Sequence, residues 1–306
     1  MKKVLLATTV LALTAPMVAA EGLSLSGYGR FGIDYNSDDV VKSQINMRMR
    51  VNIDGSVETD GGLTFGGRIR LQHNDGSEGA ALSPAMLYAS GFGVRVEVGN
   101  ANTAYDSAAL MYNSEIGYLD RSFGDPNGNY YGFSTGPYDS SEADRMGLFV
   151  SYSFGTINAR VSLVDPDQTF TGDARELSVS ADSAFGAVTV SGAFVNNAAG
   201  EDTADALFLG AEYAISDVAN VGVLYFDYDE SGTLDDSTRT TLYGNYTFDA
   251  ITVKGYVATD DQDGLATDVA FGLGADYDLG GARLSGDVHR NYAEETVAGL
   301  GVRFDF

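Results

Sequence analysis

The final residues of the chain alternate without a break. Ala298, Leu300, Val302, Phe304 and Phe306 fall on one face of an extended segment, and Gly299, Gly301, Arg303 and Asp305 on the other. A period of two is the strand period. It recurs near the start, with Leu25, Gly27, Gly29, Phe31, Ile33 and Tyr35 against Ser24, Ser26, Tyr28, Arg30, Gly32 and Asp34. The next two segments set Ile45, Met47, Met49, Val51 and Ile53 against Gln44, Asn46, Arg48, Arg50 and Asn52, then Leu63, Phe65, Gly67, Ile69 and Leu71 against Thr64, Gly66, Arg68, Arg70 and Gln72. A helix would hold Arg48 and Arg50 about 200° apart, whereas a strand puts both on one face.

The pattern predicts sixteen strands, at 23–35, 43–54, 62–73, 82–90, 94–100, 146–154, 157–165, 175–183, 187–196, 205–215, 219–229, 238–248, 251–259, 267–278, 282–290 and 296–306. Ahead of them stand Lys2 and Lys3, an apolar stretch from Val4 to Leu13, and Val18-Ala19-Ala20. This reads as a signal peptide, residues 1–20, cleaved before Glu21; its apolar part is short of the ~20 residues a spanning helix needs. For an exported chain whose strands are apolar on one face and polar on the other, only a closed barrel satisfies every backbone group in hydrocarbon. Residues 21–306 are therefore predicted to be one all-β domain, a 16-stranded antiparallel transmembrane β-barrel of the bacterial outer membrane.

Composition agrees with that architecture and excludes others. The chain holds 43 acidic against 18 basic residues, a formal net charge of −25, which argues against a nucleic-acid partner. Its mean hydropathy of −0.07 looks soluble, but polar lumenal residues cancel lipid-facing apolar ones in any window average. No cysteine is present, so no disulfide framework holds the fold. Catalysis lacks a constellation: His73 and His289 are the only histidines, no nucleophile motif accompanies them, and zinc has no Cys or His cluster.

The connections alternate in character. Gly91-Phe92-Gly93, Gly155-Thr156, Ala184-Phe185-Gly186, Ser216-Asp217-Val218, Asp249-Ala250 and Gly280-Gly281 are tight, whereas Asp38-Asp39, Asn74 to Gly79, Asp165 to Asp173, Glu201 to Asp205, Asp229 to Asp236, Asp260 to Asp268 and Glu294-Glu295 are longer and acidic. Short turns belong to the periplasmic side and long loops to the outside. The turn from Asp54 to Gly62 is long for its side. Phe154, Phe185, Phe248, Leu279 and Phe306 near the short turns, with Tyr35, Tyr88 and Tyr225 nearer the outer ends, are predicted to form the interfacial girdles, since the chain has no Trp.

Residues 101–145 break the pattern. They exceed the ~12 to 15 residues of an ordinary structureless loop and are rich in aromatics, including Tyr105, Tyr112, Tyr118, Phe123, Tyr130, Tyr131 and Phe133. Asp106, Glu115, Asp120, Asp125, Asp139, Glu142 and Asp144 oppose only Arg121 and Arg145. A barrel of this size encloses water. The segment is predicted to fold inward, anchor its aromatics on the wall and turn carboxylates, Asp106, Glu115, Asp120 and Asp125 among them, toward the lumenal arginines Arg30, Arg48, Arg50, Arg68 and Arg70. Opposed charges would set a transverse field across a narrow aqueous passage for small hydrophilic solutes and ions.

The chain resembles the Gram-negative general-diffusion porins of the alphaproteobacterial, Rhodobacter type, over essentially all of its mature length. The resemblance is carried by Leu25-Ser26-Gly27 through Arg30 and Tyr35-Asn36, by Gly61-Gly62-Leu63-Thr64-Phe65-Gly66, by Phe92-Gly93 leading to Val98-Gly99-Asn100, by Gly272 to Gly281, and by Leu300-Gly301-Val302-Arg303-Phe304-Asp305-Phe306. It implies a passive-diffusion channel that needs no cofactor, a homotrimer, a constricting third loop, a terminal Phe306 acting as assembly signal, and calcium on acidic loops. Spacing alone shows no calcium motif. Acidic outer loops either hold divalent ions that bridge to anionic lipopolysaccharide or are solvated charge. Two other occupants of the same fold stay open: a substrate-specific channel, which would saturate with one solute, and an acidic structural or adhesive barrel with a plugged lumen.

Overall fold

Leucine, valine, isoleucine and phenylalanine at every second position leave the backbone no helical alternative that buries them on one stripe, so the chain extends and pairs with itself. A computed structural model describes residues 22–126, 129–138, 145–166, 173–229 and 236–306. The predicted leader lies outside these residues, as do Asp139, Glu142, Asp144 and the middles of two acidic outer loops.

The described segments are β1 (Leu23–Asn36), β2 (Ser43–Glu58), β3 (Thr64–Asn74), β4 (Ala81–Leu82), β5 (Met86–Gly91), β6 (Val94–Gly99), β7 (Met146–Phe154), β8 (Ile157–Asp165), β9 (Glu176–Phe185), β10 (Val188–Asn196), β11 (Asp205–Ser216), β12 (Ala219–Asp229), β13 (Ser237–Phe248), β14 (Ile251–Asp260), β15 (Val269–Asp278), β16 (Ala282–Arg290) and β17 (Thr296–Asp305). Both β4 and β5 pair with β3, so they are two pieces of one wall strand and the barrel has sixteen. Ser83-Pro84-Ala85 makes the break. Pro84 has no N–H to give the ladder, and Ser83 bridges the gap by accepting Arg70 N–H on its Oγ at 2.8 Å.

Every strand runs antiparallel to its neighbours, and β17 returns to β1 with Arg303 opposite Arg30 and Val302 opposite Phe31. Two further bonds close the seam, Gly27 N to Phe306 O at 2.8 Å and Phe306 N to Gly27 O at 3.0 Å. The predicted long turn from Asp54 to Gly62 is shorter than the sequence implied. β2 continues to Glu58 opposite Thr64, and the remaining loop is drawn together by Thr59 N donating to Leu63 O at 2.8 Å. At Phe92-Gly93 both residues have positive φ, 54° and 82°, the geometry whose twist matches a tight hairpin.

Outward and inward faces separate as a membrane barrel requires. On β15, Leu273 is 58% exposed while inward Ala270 is fully buried. Such an apolar band repeated around the sheet demands a hydrocarbon surrounding. Along its lower rim, Tyr152 with Phe154, Tyr246 with Phe248, and Phe304 with Phe306 set ring beside ring at 6.2–6.4 Å. Tyr88, predicted for the outer girdle, turns inward instead, with the Arg95 guanidinium 3.6 Å above its ring.

Inward positions are not alike around the barrel. On β9 they are buried in strict alternation, whereas on β2 and β3 most are only half-buried. The interior is thus filled against one part of the wall and open against the part carrying the arginines. At the seam, a Cβ at outward-facing Gly29 would stand 2.4 Å from Phe304 Cζ. Gly29→Val should expel that ring and destabilise the barrel by about 1–3 kcal/mol, read as a lower temperature at which the folded form unfolds on heat-modifiability gels.

Candidate constriction site

The long connection between β6 and β7 turns into the barrel and lies along its wall. Asn100 clasps its two limbs: Nδ2 donates to Ser134 O at 2.9 Å and Oδ1 accepts Ser134 N–H at 2.8 Å. The outgoing limb hangs on inward serines, with Ala104 N donating to Ser162 Oγ at 2.8 Å and Tyr105 N to Ser178 Oγ at 3.1 Å. Small hydroxyl side chains there let backbone approach backbone while satisfying the loop's N–H groups. Tyr105, Leu110, Met111 and Ile116 then bury themselves with Phe208, Leu224, Phe226, Tyr243 and Tyr256 of β11–β14. The inward face of these strands is apolar because it is the floor on which the loop packs.

A tight hairpin forms the far end of the loop. Ile116 N donates to Arg121 O at 3.0 Å and Arg121 N to Ile116 O at 3.1 Å, with Gly117 and Asp120 at φ 77° and 49°. Arg121 reaches Asp34 on β1 at 2.9 Å and Asp287 on β16 at 3.5 Å. Asp120 binds both Arg283 and Arg303, and Arg30 donates to Leu119 O at 2.9 Å. The returning limb is held through the wall itself. Phe123 N donates to Tyr256 Oη, Tyr256 Oη is hydrogen-bonded to His289 Nδ1, and His289 Nε2 to Asp287, each at 2.9 Å. Arg239 and Thr241 of β13 donate to Asp125 O and Gly124 O at 2.6 and 2.7 Å.

Opposite the loop, β2 and β3 carry a repeated device. Arg48, Arg50 and Arg70 each donate Nε to an amide oxygen directly across the ladder, respectively Asn74 at 2.6 Å, Gln72 at 2.6 Å and Asn52 at 2.9 Å. A neutral acceptor fixes the guanidinium without cancelling its charge. Among the described residues, Arg30, Arg48, Arg50 and Arg70 have no carboxylate within ion-pair distance. Arg68 differs, since Asp54 lies 2.7 Å away. Several bases elsewhere in the lumen are neutralised, as in Arg95–Glu97 at 2.6 Å, Lys254–Asp276 at 3.0 Å and Arg239–Asp260. Uncompensated positive charge is therefore concentrated on β1–β3.

The four predicted loop acids occupy three environments. Asp106 accepts from Tyr112, whose hydroxyl also lies 2.6 Å from that of Tyr130. Asp125 accepts from Ser114 Oγ at 2.7 Å. Burial pushes the Glu115 carboxyl up to about 8, with Asp125 adding to it, and burial pushes Asp125 up to about 7. Of the four, Asp120 alone ion-pairs with the wall, through arginines the sequence reading did not single out. Arg283 and Arg303 lie more than two hundred residues from Arg30, and barrel closure aligns them with it: Arg283 opposes Arg303, which opposes Arg30, which opposes Arg48. The usable signal was the position of Arg303 on the polar face of the last strand. Among the described residues no group of three or more His, Cys, Asp or Glu side chains is placed to hold a metal ion.

Comparison with known proteins matches this architecture. Residues 7–296 fit the family model of the Gram-negative porins. A porin of Fuscovulum blasticum is 41% identical over 294 residues, which span 93% of this chain and all of that one. A porin of Rhodobacter capsulatus is 32% identical over 311 residues, again 93% of this chain and all of the relative. The solved structure of a mutant Rh. blastica porin superposes with a TM-score of 0.87 at 41% identity, covering 93% of this chain and all of that chain. The chain thus belongs to the Gram-negative porin family and forms an outer-membrane channel.

Proposed function

We propose that the channel is a general-diffusion pore whose narrowest passage runs between the β1–β3 wall and the infolded loop, and that three such barrels associate in the membrane. Arg30, Arg48, Arg50 and Arg70 form the positive side of the passage, and Glu115, Asp120, Asp125 and Asp106 are the acidic groups on the loop side. The observation that carries this reading is the cross-strand pairing of three arginines with neutral amides, which keeps their charge available to the lumen. The trimer rests on the family resemblance. Small polar solutes keep their hydration in such a passage, while large apolar ones would lose it.

Planar-bilayer recording tests this directly. Large steps in threes that do not saturate with sugars support a trimeric diffusion pore, and solute-specific block would replace it with a selective one. A unit charge about 7 Å from a passing ion is worth about 0.6 kcal/mol in water. Arg48→Ala combined with Arg50→Ala should therefore move the permeability ratio several-fold toward cations, measured as a reversal potential in a salt gradient. Glu115, raised to about 8, holds a proton at neutral pH and ionises as pH rises. Cation preference should accordingly increase as pH rises through the values of Asp125 and Glu115, and Glu115→Gln with Asp125→Asn should flatten that dependence.

A further inference from the structure

The lumenal wall is bare where the first and last strands meet. Gly32 of β1 and Gly301 of β17 are direct cross-strand partners, and Gly299 follows two residues along on the same face. The Tyr118 ring at the loop tip lies on this patch. A Cβ at Gly301 would stand 2.6 Å from ring Cδ2, at Gly32 2.8 Å from Cζ, and at Gly299 3.1 Å from Cε1. Tyr118 is fully buried, although it belongs to a loop inside a water-filled barrel. Its hydroxyl is buried as well and makes no hydrogen bond among the described residues. What holds the residue there is the fit of the ring.

The polar contacts of the tip surround this seat. Arg30 and Arg303 oppose each other two residues before Gly32 and two after Gly301, and Asp34 opposes Gly299. Asp120 meets Arg303 and Arg283, Arg121 meets Asp34, and Leu119 O accepts from Arg30. The Arg283–Asp120 and Arg121–Asp34 pairs are partly exposed, about 20–30% on each side, where water and salt weaken ion pairs. A ring buried against backbone is not screened in that way.

We propose that Tyr118 is the positioning residue of the constriction: seated in the socket of Gly32, Gly299 and Gly301, it sets the register of the loop tip on the wall. This rests on the constriction described under Proposed function. With the ring seated, Asp120 covers Arg283 and Arg303, and the positive charge open to the passage is that of Arg30, Arg48, Arg50 and Arg70. Without it the tip shifts, Arg283 and Arg303 join that set, and the aperture fluctuates.

Single-channel recording of the reconstituted protein decides the matter. Tyr118→Ala should give noisier, sub-state-rich conductance and move the permeability ratio about twofold toward anions, while the barrel remains heat-modifiable. Tyr118→Phe should behave as the parent, because the hydroxyl has no partner to lose. Gly299→Ala attacks the socket from the other side, where the atoms nearest a Cβ are Asp287 Oδ1 at 2.8 Å and Tyr118 Cε1 at 3.1 Å, and should reproduce the alanine phenotype. Parent-like selectivity and noise in Tyr118→Ala, or equal damage in Tyr118→Phe, would overturn the proposal. Should Tyr118→Ala fail to assemble, Tyr118→Leu takes its place, and parent-like behaviour there overturns it equally. Arg48→Ala with Arg50→Ala in the same bilayers separates the two readings. If that pair leaves selectivity unchanged the constriction itself is wrong; if it shifts selectivity and the Tyr118 variants do not, only the positioning role fails.

Discussion

A backbone N–H or C=O left unpaired in hydrocarbon costs several kcal/mol, and the architecture follows from how this chain pairs them from strand to strand. Each strand passes its hydrogen bonds to the next until β17 meets β1, and the pairing of Phe306 with Gly27 carries the seam to the final residue. Closure forces an inside and an outside, and a two-residue period then assigns every side chain to one of them. The apolar band, the aromatic rim and the polar lumen are consequences of that division.

Closure also creates the problem that the long loop answers. A sixteen-stranded wall encloses more space than side chains fill, so an unmodified lumen would be wide. The loop narrows it by taking over the inner face of β8–β17, where apolar Phe208, Leu224 and Phe226, inward serines and bare glycines give it packing, hydrogen-bond partners and close approach. The remaining wall keeps its half-buried polar residues and its amide-held arginines. Filled and open parts of one lumen thus differ in residue chemistry, and the proposed passage runs along the open part.

Much of this was legible in the sequence because a period of two survives folding unchanged. β7, β8, β12 and β16 occupy the predicted residues, and most other strands differ by one or two at an end. The break at Ser83-Pro84-Ala85 and the extension of β2 to Glu58 were missed, since pairing rather than composition decides where a strand stops. Arg48, Arg50, Arg68 and Arg70 could be placed together from adjacent strands. Arg283 and Arg303 could not, because their proximity to Arg30 exists only after closure. The Tyr118 seat was hidden for the same reason: Gly32 and Gly301 are ordinary lumenal glycines until the first and last strands pair.

The proposed channel requires the arginines of β2 to face the conducting passage. The chain has no cysteine of its own, so single cysteines can be introduced at two adjacent residues with opposite faces, as Arg50→Cys and Met49→Cys. A bulky, water-soluble, positively charged thiol reagent added to open channels should sharply reduce the current through Arg50→Cys and leave Met49→Cys untouched. Unchanged current through Arg50→Cys after verified labelling, or an equal loss in Met49→Cys, would contradict the assignment of that wall to the passage.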